Sequence, residues 1–224
     1  MVDLKINDYI LKLIPERNEV LQRLEKEAKE DGIPNIQLES IQFIKVLLQS
    51  IQPEQILEVG SAIGYSGIHM AQAAPMAHIT TLEMDEQRAS RAKQNFHEAG
   101  VSGRVKLVLG NALETIPALE DTFDFIFIDA AKGQYTKFLE LSLEHSKQGT
   151  VIVSDNVFFQ GNVAKKRDEI QPRYRNMIDK LNKYNQMLAN HPELETSFIS
   201  IGDGLALSIY SPISDANLSR INTP

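Results

Sequence analysis

Four polar residues at the ends of two apolar segments could bind a metal ion and move a proton. Asp129 follows the run FDFIFI, and Asp155 and Asn156 follow the run TVIVS. A single acid at such a point is often a helix cap, but two acids with an adjacent amide favour a hard cation such as Mg²⁺ or Ca²⁺. Lys132, three residues after Asp129, could act as a base beside that cation or be an ordinary solvated lysine.

A glycine loop and a later acid form the second candidate group. Gly60 and Gly64 lie in EVGSAIGYS, and Glu83 ends the next apolar run about 20 residues later. The glycines could let the backbone approach a ligand or could simply form a tight turn. An acid at that strand end can accept hydrogen bonds from both ribose hydroxyls of a nucleoside cofactor, whereas Asp85 is better placed to cap a helix. The Gly-x-x-x-Gly spacing argues against the pyrophosphate loop of a nicotinamide dehydrogenase.

An alternating pattern of strands and helices is expected to position these residues. Strands are predicted at 55–59, 79–82, 105–109, 123–128, 150–153, 196–201 and 205–210, and helices at 16–30, 38–50, 66–73, 86–99, 134–145 and 170–190. Strand–helix alternation predicts parallel strands joined by right-handed crossovers. Only Gly202-Asp203-Gly204 separates the last two strands, so we expect a hairpin and one antiparallel strand.

The sequence therefore predicts a single doubly wound α/β domain with a mostly parallel seven-stranded sheet. Residues 1–52 should form a helical N-terminal cover, 53–212 the α/β core and 213–224 a tail. In such sheets ligands bind beyond the carboxyl ends of the strands. Both candidate groups lie at strand ends of this kind, so we expect one shared site.

Composition narrows the class of protein. The chain of 224 residues has no cysteine, which excludes disulfides and thiolate metal sites, and its five scattered histidines argue against zinc. The net charge of −7 argues against nonspecific coating of nucleic acid. No apolar stretch is long enough to span a membrane, and the N-terminus lacks a signal-peptide pattern, so we expect a cytoplasmic protein.

One basic segment stands out against this acidic background. Between residues 160 and 183, seven basic residues against three acidic ones give a net charge of +4, leaving −11 for the rest of the chain. Such a segment could hold the phosphates of a single-stranded RNA loop, or could be a solvated helix face. Tyr174, between two arginines, could stack on a base or pack internally. The candidate RNA contacts are Lys165, Lys166, Arg173 and Arg175.

The motifs LEVGSAIGYSG, TLEMDE, FIDAAKGQY, SDNVFFQG and GDGLALSIY resemble those of a known family. They are similar to the cation-dependent class I S-adenosylmethionine O-methyltransferases, the group of the catechol and caffeoyl-CoA methyltransferases. Within that group, DNVFFQGNVA, IQPRYR and KLNKYNQMLANHPE are most similar to bacterial tRNA 5-hydroxyuridine methyltransferases. Ala130-Ala131, where catechol methyltransferases carry a bulkier pair, and Phe158-Phe159-Gln160-Gly161 depart from the catechol enzymes, which puts a free catechol acceptor in doubt.

The resemblance implies a Rossmann-like methyltransferase fold, S-adenosylmethionine as donor, Mg²⁺ or another divalent cation, and a homodimer. It implies metal ligands at Asp129, Asp155 and Asn156 and a catalytic base at Lys132. The implied donor contacts are Ile36, Gly60, Ser66, Glu83, Ala112 and Asp129.

The expected reaction is O-methylation of 5-hydroxyuridine at the wobble position of a tRNA anticodon, giving 5-methoxyuridine. The 5-hydroxyl and 4-carbonyl oxygens of 5-hydroxyuridine can chelate a cation as the two oxygens of a catechol do. The alternative is a small-molecule O-methyltransferase acting on catechol-like or caffeoyl-CoA-like phenols. A non-enzymatic RNA-binding module would not need both a donor site and a metal site.

Overall fold

The N-terminal cover consists of three helices. A computed structural model describes residues 4–213 and gives α1 (Leu4–Leu13), α2 (Glu19–Asp31) and α3 (Leu38–Ile51). The side chain of Asn18 caps α2 by accepting a hydrogen bond from the Leu21 amide, and Gly32, in the left-handed conformation, ends the helix. Leu21 and Leu24 of α2 are buried, so this helix docks on the core through its apolar face.

The core is the predicted seven-stranded sheet. Its strands are β1 (Gln55–Val59), β2 (His78–Glu83), β3 (Val105–Leu109), β4 (Phe123–Ile128), β5 (Ser146–Ser154), β6 (Leu194–Ile199) and β7 (Leu205–Tyr210). They lie in the order β3-β2-β1-β4-β5-β7-β6. The first five are parallel, and β7 runs antiparallel to both β5 and β6. The prediction of one antiparallel strand, made by a terminal hairpin, is confirmed.

Helices cover both faces of this sheet. They are α4 (Tyr65–Ala73), α5 (Glu86–Glu98), the short α6 (Ala112–Thr115), α7 (Tyr135–Leu143) and α8 (Pro172–Asn190). Alternate residues of β4 point to opposite faces: Phe125 and Phe127 pack in the cluster under α2 to α5, and Ile126 and Ile128 in the cluster under α6 to α8. The strands are thus buried on both sides, as parallel sheets require.

Several predicted boundaries were wrong, and α1 and α6 were not predicted. The helix predicted from residue 16 begins at Glu19, after the Asn18 cap, and the helix predicted from 170 begins at Pro172, where proline suits the first turn. β5 starts four residues early, because its polar first residues still pair along β4 without forming an apolar run. β6 was placed two residues too late, since residues 200–204 form the turn into β7.

Of the predicted tail, residues 214–224 lie outside the described residues. Within 4–213, no helix is both long and apolar enough to cross a membrane.

Candidate active site

The glycine loop follows β1 and lies against the end of β4. Gly60 has a φ of +104°, and a β-carbon placed there would lie 2.2 Å from the carbonyl oxygen of Asp129. Only glycine therefore lets the two strand ends approach this closely. The Gly60 and Ser61 amides both donate to the Leu82 carbonyl of β2, each at 3.0 Å. The loop is fixed by backbone contacts to both neighbouring strands.

The carboxylate of Glu83 organises the end of β2. Its Oε2 accepts a hydrogen bond of 2.8 Å from the Ala62 amide, and its Oε1 accepts from the Met84 and Asp85 amides at 2.9 Å. Ala62 has a φ of +45°, an uncommon conformation for a residue with a β-carbon, which this hydrogen bond helps to hold. As predicted, Asp85 rather than Glu83 caps α5, by accepting from the Arg88 amide. Glu83 retains carboxylate lone pairs for a ligand beside the loop.

Another acid close to the predicted contacts of the methyl donor is Glu58, which lies fully buried within β1. Its two oxygens accept hydrogen bonds of 2.5 Å from the hydroxyls of Ser66 and Thr81. Burial, together with the charges of Asp129 and Glu83, raises the pKa of Glu58 to about 7 despite these two donors. Ser66, a predicted contact to the methyl donor, thus donates a hydrogen bond to Glu58. Sequence analysis missed Glu58, although an acid within the apolar run QILEV was a visible signal.

Strand pairing brings the two predicted metal-binding acids side by side. Ile128 of β4 pairs with Ser154 of β5, and the Asp155 amide donates to the Ile128 carbonyl at 3.1 Å. Asp129 and Asp155 are therefore the next residues on adjacent strands. Burial raises the pKa of both carboxyl groups, the charge of Asp129 raises that of Asp155 further, and the nearby Lys132 ammonium partly offsets both effects.

One oxygen of this pair has no partner. Asp155 is 1% exposed, its Oδ1 accepts from the Asn156 amide at 2.7 Å, and its Oδ2 has no hydrogen-bond partner among the described residues. Asn156 has a φ of +55°, and its Oδ1 accepts a hydrogen bond of 2.7 Å from Nζ of Lys132. A buried carboxylate oxygen without a donor is costly unless a cation meets it. The donor set of two carboxylates and an amide therefore fits a hard divalent ion.

No group of three or more histidine, cysteine or acidic side chains suited to a metal occurs within 4–213. A metal at this site would thus depend on the mixed set of Asp129, Asp155 and Asn156. The remaining coordination positions would be left for water or an acceptor's oxygens.

A cavity of about 370 Å³ joins the two groups. Its volume is in the range that binds a small organic ligand or cofactor. One wall comes from Pro34, Asn35 and Ile36, between α2 and α3, and the opposite wall from the glycine loop. The lining includes every predicted contact to the methyl donor and three of the four residues predicted to bind the metal or act as the base, with Asp129 in both sets: Ile36, Gly60, Ser66, Glu83, Ala112, Asp129, Lys132 and Asn156. Asp155 is absent from that lining and is buried next to it.

The four predicted RNA contacts fall into two groups. Lys165, Lys166 and Arg173 are exposed, on the connection between β5 and α8 and on its first turn. Arg175, in contrast, is half-buried, and its guanidinium donates to the backbone carbonyls of Ile170, at 2.9 Å, and Asp168. Arg175 therefore holds the connection in shape, a use that sequence patterns could not reveal.

Two further residues next to the metal group were missed. The Tyr135 hydroxyl donates to the Asp155 carbonyl at 3.0 Å, which fixes the end of β5. Asp203, in the β6–β7 turn, accepts a hydrogen bond from the Gln160 amide and lies close enough to Lys132 and Asp155 to affect the pKa of Asp155. The motif GDG around Asp203 predicts a turn and belongs to the family resemblance, but it assigns no role to Asp203 itself.

Sheet order, glycine loop and strand-end acids together define a Rossmann-like fold of the kind that methyltransferases use. The family described as O-methyltransferase matches residues 13–210. Catechol O-methyltransferase of Niastella koreensis is 32% identical over 216 residues, covering 91% of this chain and 96% of that protein. A Staphylococcus aureus structure, provisionally described as a caffeoyl-CoA O-methyltransferase, superposes with a TM-score of 0.87 at 33% identity, covering 93% of this chain and all of that one. The chain belongs to the O-methyltransferase family.

A further structural relative is the O-methyltransferase TomG of Streptomyces achromogenes, solved in complex with S-adenosylmethionine. It superposes with a TM-score of 0.82 at 26% identity, covering 93% of this chain and 96% of that one. The predictions of this fold and of an S-adenosylmethionine-dependent O-methyltransferase are confirmed at the level of the family.

Proposed function

We propose that the protein transfers the methyl group of S-adenosylmethionine to 5-hydroxyuridine at the wobble position of tRNA, with Mg²⁺ or another divalent cation at Asp129, Asp155 and Asn156. The observation that carries the cation-dependent mechanism is the buried Oδ2 of Asp155, which has no hydrogen-bond partner within residues 4–213 and lies beside the half-buried Asp129. Bound Mg²⁺ would lower the pKa of the acceptor hydroxyl and fix its direction.

The donor would lie in the 370 Å³ cavity, with its ribose at Glu83 and its backbone-facing side on Gly60. Ile36 would close over it from the N-terminal cover. In the reaction a bond forms between the acceptor oxygen and the methyl carbon while the sulfur–carbon bond breaks, leaving S-adenosylhomocysteine. Because the sulfonium methyl is already activated, the residues mainly need to align the two reactants.

Lys132 is the proposed proton acceptor. Its Nζ is held 2.7 Å from Oδ1 of Asn156, one of the proposed metal ligands, and it lines the cavity. A base at this position would lie beside the hydroxyl of an acceptor bound to the cation that Asp129, Asp155 and Asn156 would hold. The proton of that hydroxyl would move to Nζ as the methyl group is transferred.

An aromatic and basic surface beside this site supports an RNA acceptor. Arg173 lies over the ring of Tyr174 at 4.5 Å, and Tyr174 packs edge-on against Phe159, with ring centroids 5.4 Å apart. Phe159 belongs to the loop that Asp203 holds through the Gln160 amide. Proteins that bind single-stranded RNA stack bases on aromatic rings and arginine side chains, next to lysines that contact the phosphates.

Lys180 of α8 lies next to Gly133, the residue that follows Lys132. A β-carbon placed on Gly133 would lie 3.7 Å from Nζ of Lys180. One positive charge of the basic segment therefore lies at the edge of the proposed catalytic group, and Lys165 and Lys166 of the same segment are exposed. A phosphate backbone could follow this path with one base directed into the site.

Charge reversal tests the RNA acceptor. Replacing Lys165, Lys166 and Arg173 by Glu should reduce methylation of tRNA bearing 5-hydroxyuridine by a large factor and leave methylation of a small catechol nearly unchanged. Arg175 is left in place because it holds the backbone. Wild-type activity on tRNA should fall with salt with a log–log slope of roughly −0.7 per phosphate contact.

The matched control carries the same charge change elsewhere. Lys26, Lys29 and Lys93 are exposed lysines of α2 and α5, and their replacement by Glu should leave tRNA methylation close to wild type. If both triple variants methylate tRNA as fast as the wild type, the basic segment is a solvated face and the tRNA proposal fails.

A small-molecule acceptor is the second candidate, since the relative of 32% identity is named a catechol O-methyltransferase. It predicts turnover of catechol-like or caffeoyl-CoA-like phenols without the salt dependence. We also propose a homodimer, to which exposed apolar residues of α1 such as Tyr9 and Leu13 would contribute. A monomer mass by light scattering at micromolar concentration would contradict it.

A further inference from the structure

The cavity is built from two parts of the chain that are far apart in sequence. The connection after α2 supplies Pro34, Asn35 and Ile36, and the glycine loop with the start of α4 supplies the facing residues, among them Tyr65 and Ser66. The width of the cavity therefore depends on how the N-terminal cover is fixed to the core. A donor between these walls would be sensitive to any contact that joins them.

One polar contact joins the cover to the cavity wall itself. The Tyr65 hydroxyl donates a hydrogen bond of 2.7 Å to Oε1 of Glu25 on α2. Arg17, just before α2, donates to both oxygens of the same carboxylate, from Nε at 2.7 Å and from Nη2 at 2.8 Å. This bidentate pair fixes the plane of the carboxylate toward Tyr65.

Protonation states at neutral pH favour this arrangement. Burial alone would raise the pKa of Glu25, but hydrogen bonds from Arg17 and Tyr65 and the charge of Arg17 keep that pKa below its usual value. Burial and the Glu25 carboxylate raise the pKa of Tyr65 well above its usual value. The tyrosine is thus always the donor and the carboxylate always the acceptor.

A buried histidine fixes the Tyr65 ring from below. His69, one turn later on α4, packs edge-on against it with ring centroids 4.7 Å apart, and it is 1% exposed. Neither ring nitrogen of His69 has a hydrogen-bond partner within the described part of the chain, and burial, with the charge of Lys45 next, lowers the pKa of His69 to about 3. The neutral His69 ring therefore contacts the Tyr65 ring by packing alone. The Tyr65 hydroxyl has Glu25 as its hydrogen-bond partner.

We propose that Tyr65 is a positioning residue for the methyl donor, which holds the N-terminal cover at the correct distance from the glycine loop through its hydrogen bond to Glu25. The proposal rests on donor binding in this cavity. It adds a link, from Arg17 through Glu25 to Tyr65, that retains the donor without contacting the reacting atoms.

The chain provides a close control for this link. Glu27, two residues after Glu25 on the same helix, accepts from Arg23 at 2.6 Å and from Arg91 of α5 at 3.1 Å. Its ion pair with Arg91 also joins the cover to the core, but Glu27, Arg23 and Arg91 are not among the residues that line the cavity. Replacement of either acid by Gln removes one charge from α2, and only one of the two changes touches Tyr65.

The test compares Tyr65→Phe, Glu25→Gln and Glu27→Gln by calorimetry with S-adenosylhomocysteine and by steady-state kinetics. Tyr65→Phe and Glu25→Gln should weaken binding and raise the KM for S-adenosylmethionine about tenfold, the effect of losing one charge-assisted hydrogen bond. The KM for S-adenosylmethionine should rise by a much larger factor than kcat falls. Glu27→Gln should bind the product within twofold of wild type, and Tyr65→Phe in the Glu25→Gln background should add little further loss.

Equal weakening in all three variants would mean that the cover acts only through its general docking, and wild-type affinity in Tyr65→Phe and Glu25→Gln would reject the link. If Tyr65→Phe does not fold, Glu25→Gln, which leaves the ring in place, decides alone. A wild-type protein that binds no S-adenosylhomocysteine would instead overturn the donor site on which the proposal rests.

Discussion

The part of the site proposed to bind the methyl donor, around Glu58 and Glu83 (the donor side), and the part proposed to bind the acceptor, around Asp155 (the acceptor side), are built on the same sheet. The carboxylates of the two parts find their hydrogen-bond partners differently. On the donor side, Glu83 accepts three backbone hydrogen bonds and Glu58 accepts two from hydroxyls. On the acceptor side, the buried Oδ2 of Asp155 has no hydrogen-bond partner within residues 4–213, and Nζ of Lys132 donates to Oδ1 of Asn156. The donor side is thus organised by the chain itself, whereas the acceptor side is suited to a cation.

This difference explains how one fold can serve several acceptors. Glu83 holds backbone amides that follow β1 and β2, and Glu58 holds the hydroxyls of Ser66 and Thr81, so changes at either acid disturb the loop itself. The acceptor side combines the three proposed metal ligands with a loop after β5 that packs through Phe159 and Tyr174. Variation of that loop could change the acceptor while the metal chelates the same pair of oxygens.

The largest predicted effect comes from removing an acceptor-side ligand. Asp155→Ala should reduce methyl transfer by roughly 10³-fold or more, because the orientation and activation of the acceptor by the cation are lost. Donor affinity in calorimetry should stay within about twofold of wild type. Comparable loss of donor binding in this variant would show that the two sides are not separable.

Glu83→Ala should have the opposite profile. Loss of the acceptor for the ribose hydroxyls, and of the contacts to the Ala62, Met84 and Asp85 amides, should weaken S-adenosylmethionine binding by about 1–3 kcal/mol. Metal affinity, followed by calorimetry with Mg²⁺ or Mn²⁺, should change little. Unchanged donor affinity would remove Glu83 from the site.

Much of this comparison could be predicted from the sequence. Apolar runs indicated the strands, and the residues following them gave Gly60, Glu83, Asp129 and Asp155, because a parallel sheet gathers its carboxyl ends at one edge. The contacts that complete the site could not be predicted in this way. Glu25 and Tyr65 are 40 residues apart, and their hydrogen bond depends on how α2 docks on α4.

The shape of the connection between β5 and α8 could not be predicted from sequence patterns either. Its shape depends on Arg175 holding backbone carbonyls and on left-handed residues at Phe159 and Gln160, neither of which is a glycine. Charge counting treated Arg175 like its neighbours. Local composition could show that the segment is basic, but only the packed structure shows which cations are exposed.

The smallest predicted effect concerns the buried donor-side acid and pH. The pKa of Glu58 is raised from 4.5 to about 7 in the folded protein, so between these values the native state holds a proton that the unfolded state has released. Its contribution should therefore lower the free energy of unfolding as pH rises from about 4.5 to 7, with a slope of at most about 1.4 kcal/mol per pH unit. Glu58→Gln should show a flatter curve in denaturant unfolding at several pH values. Parallel curves for the two proteins would rule out this titration.

Metal removal tests the central claim most directly, because it separates the two sides in one protein. Wild-type enzyme in excess EDTA is assayed for S-adenosylmethionine binding by calorimetry and for methyl transfer to 5-hydroxyuridine tRNA and to a catechol, before and after Mg²⁺ is restored. We predict that donor affinity persists in EDTA, that transfer to any accepted substrate is lost, and that Mg²⁺ in excess of the chelator restores it. Full methyl transfer in the metal-free protein would contradict the cation-dependent acceptor site.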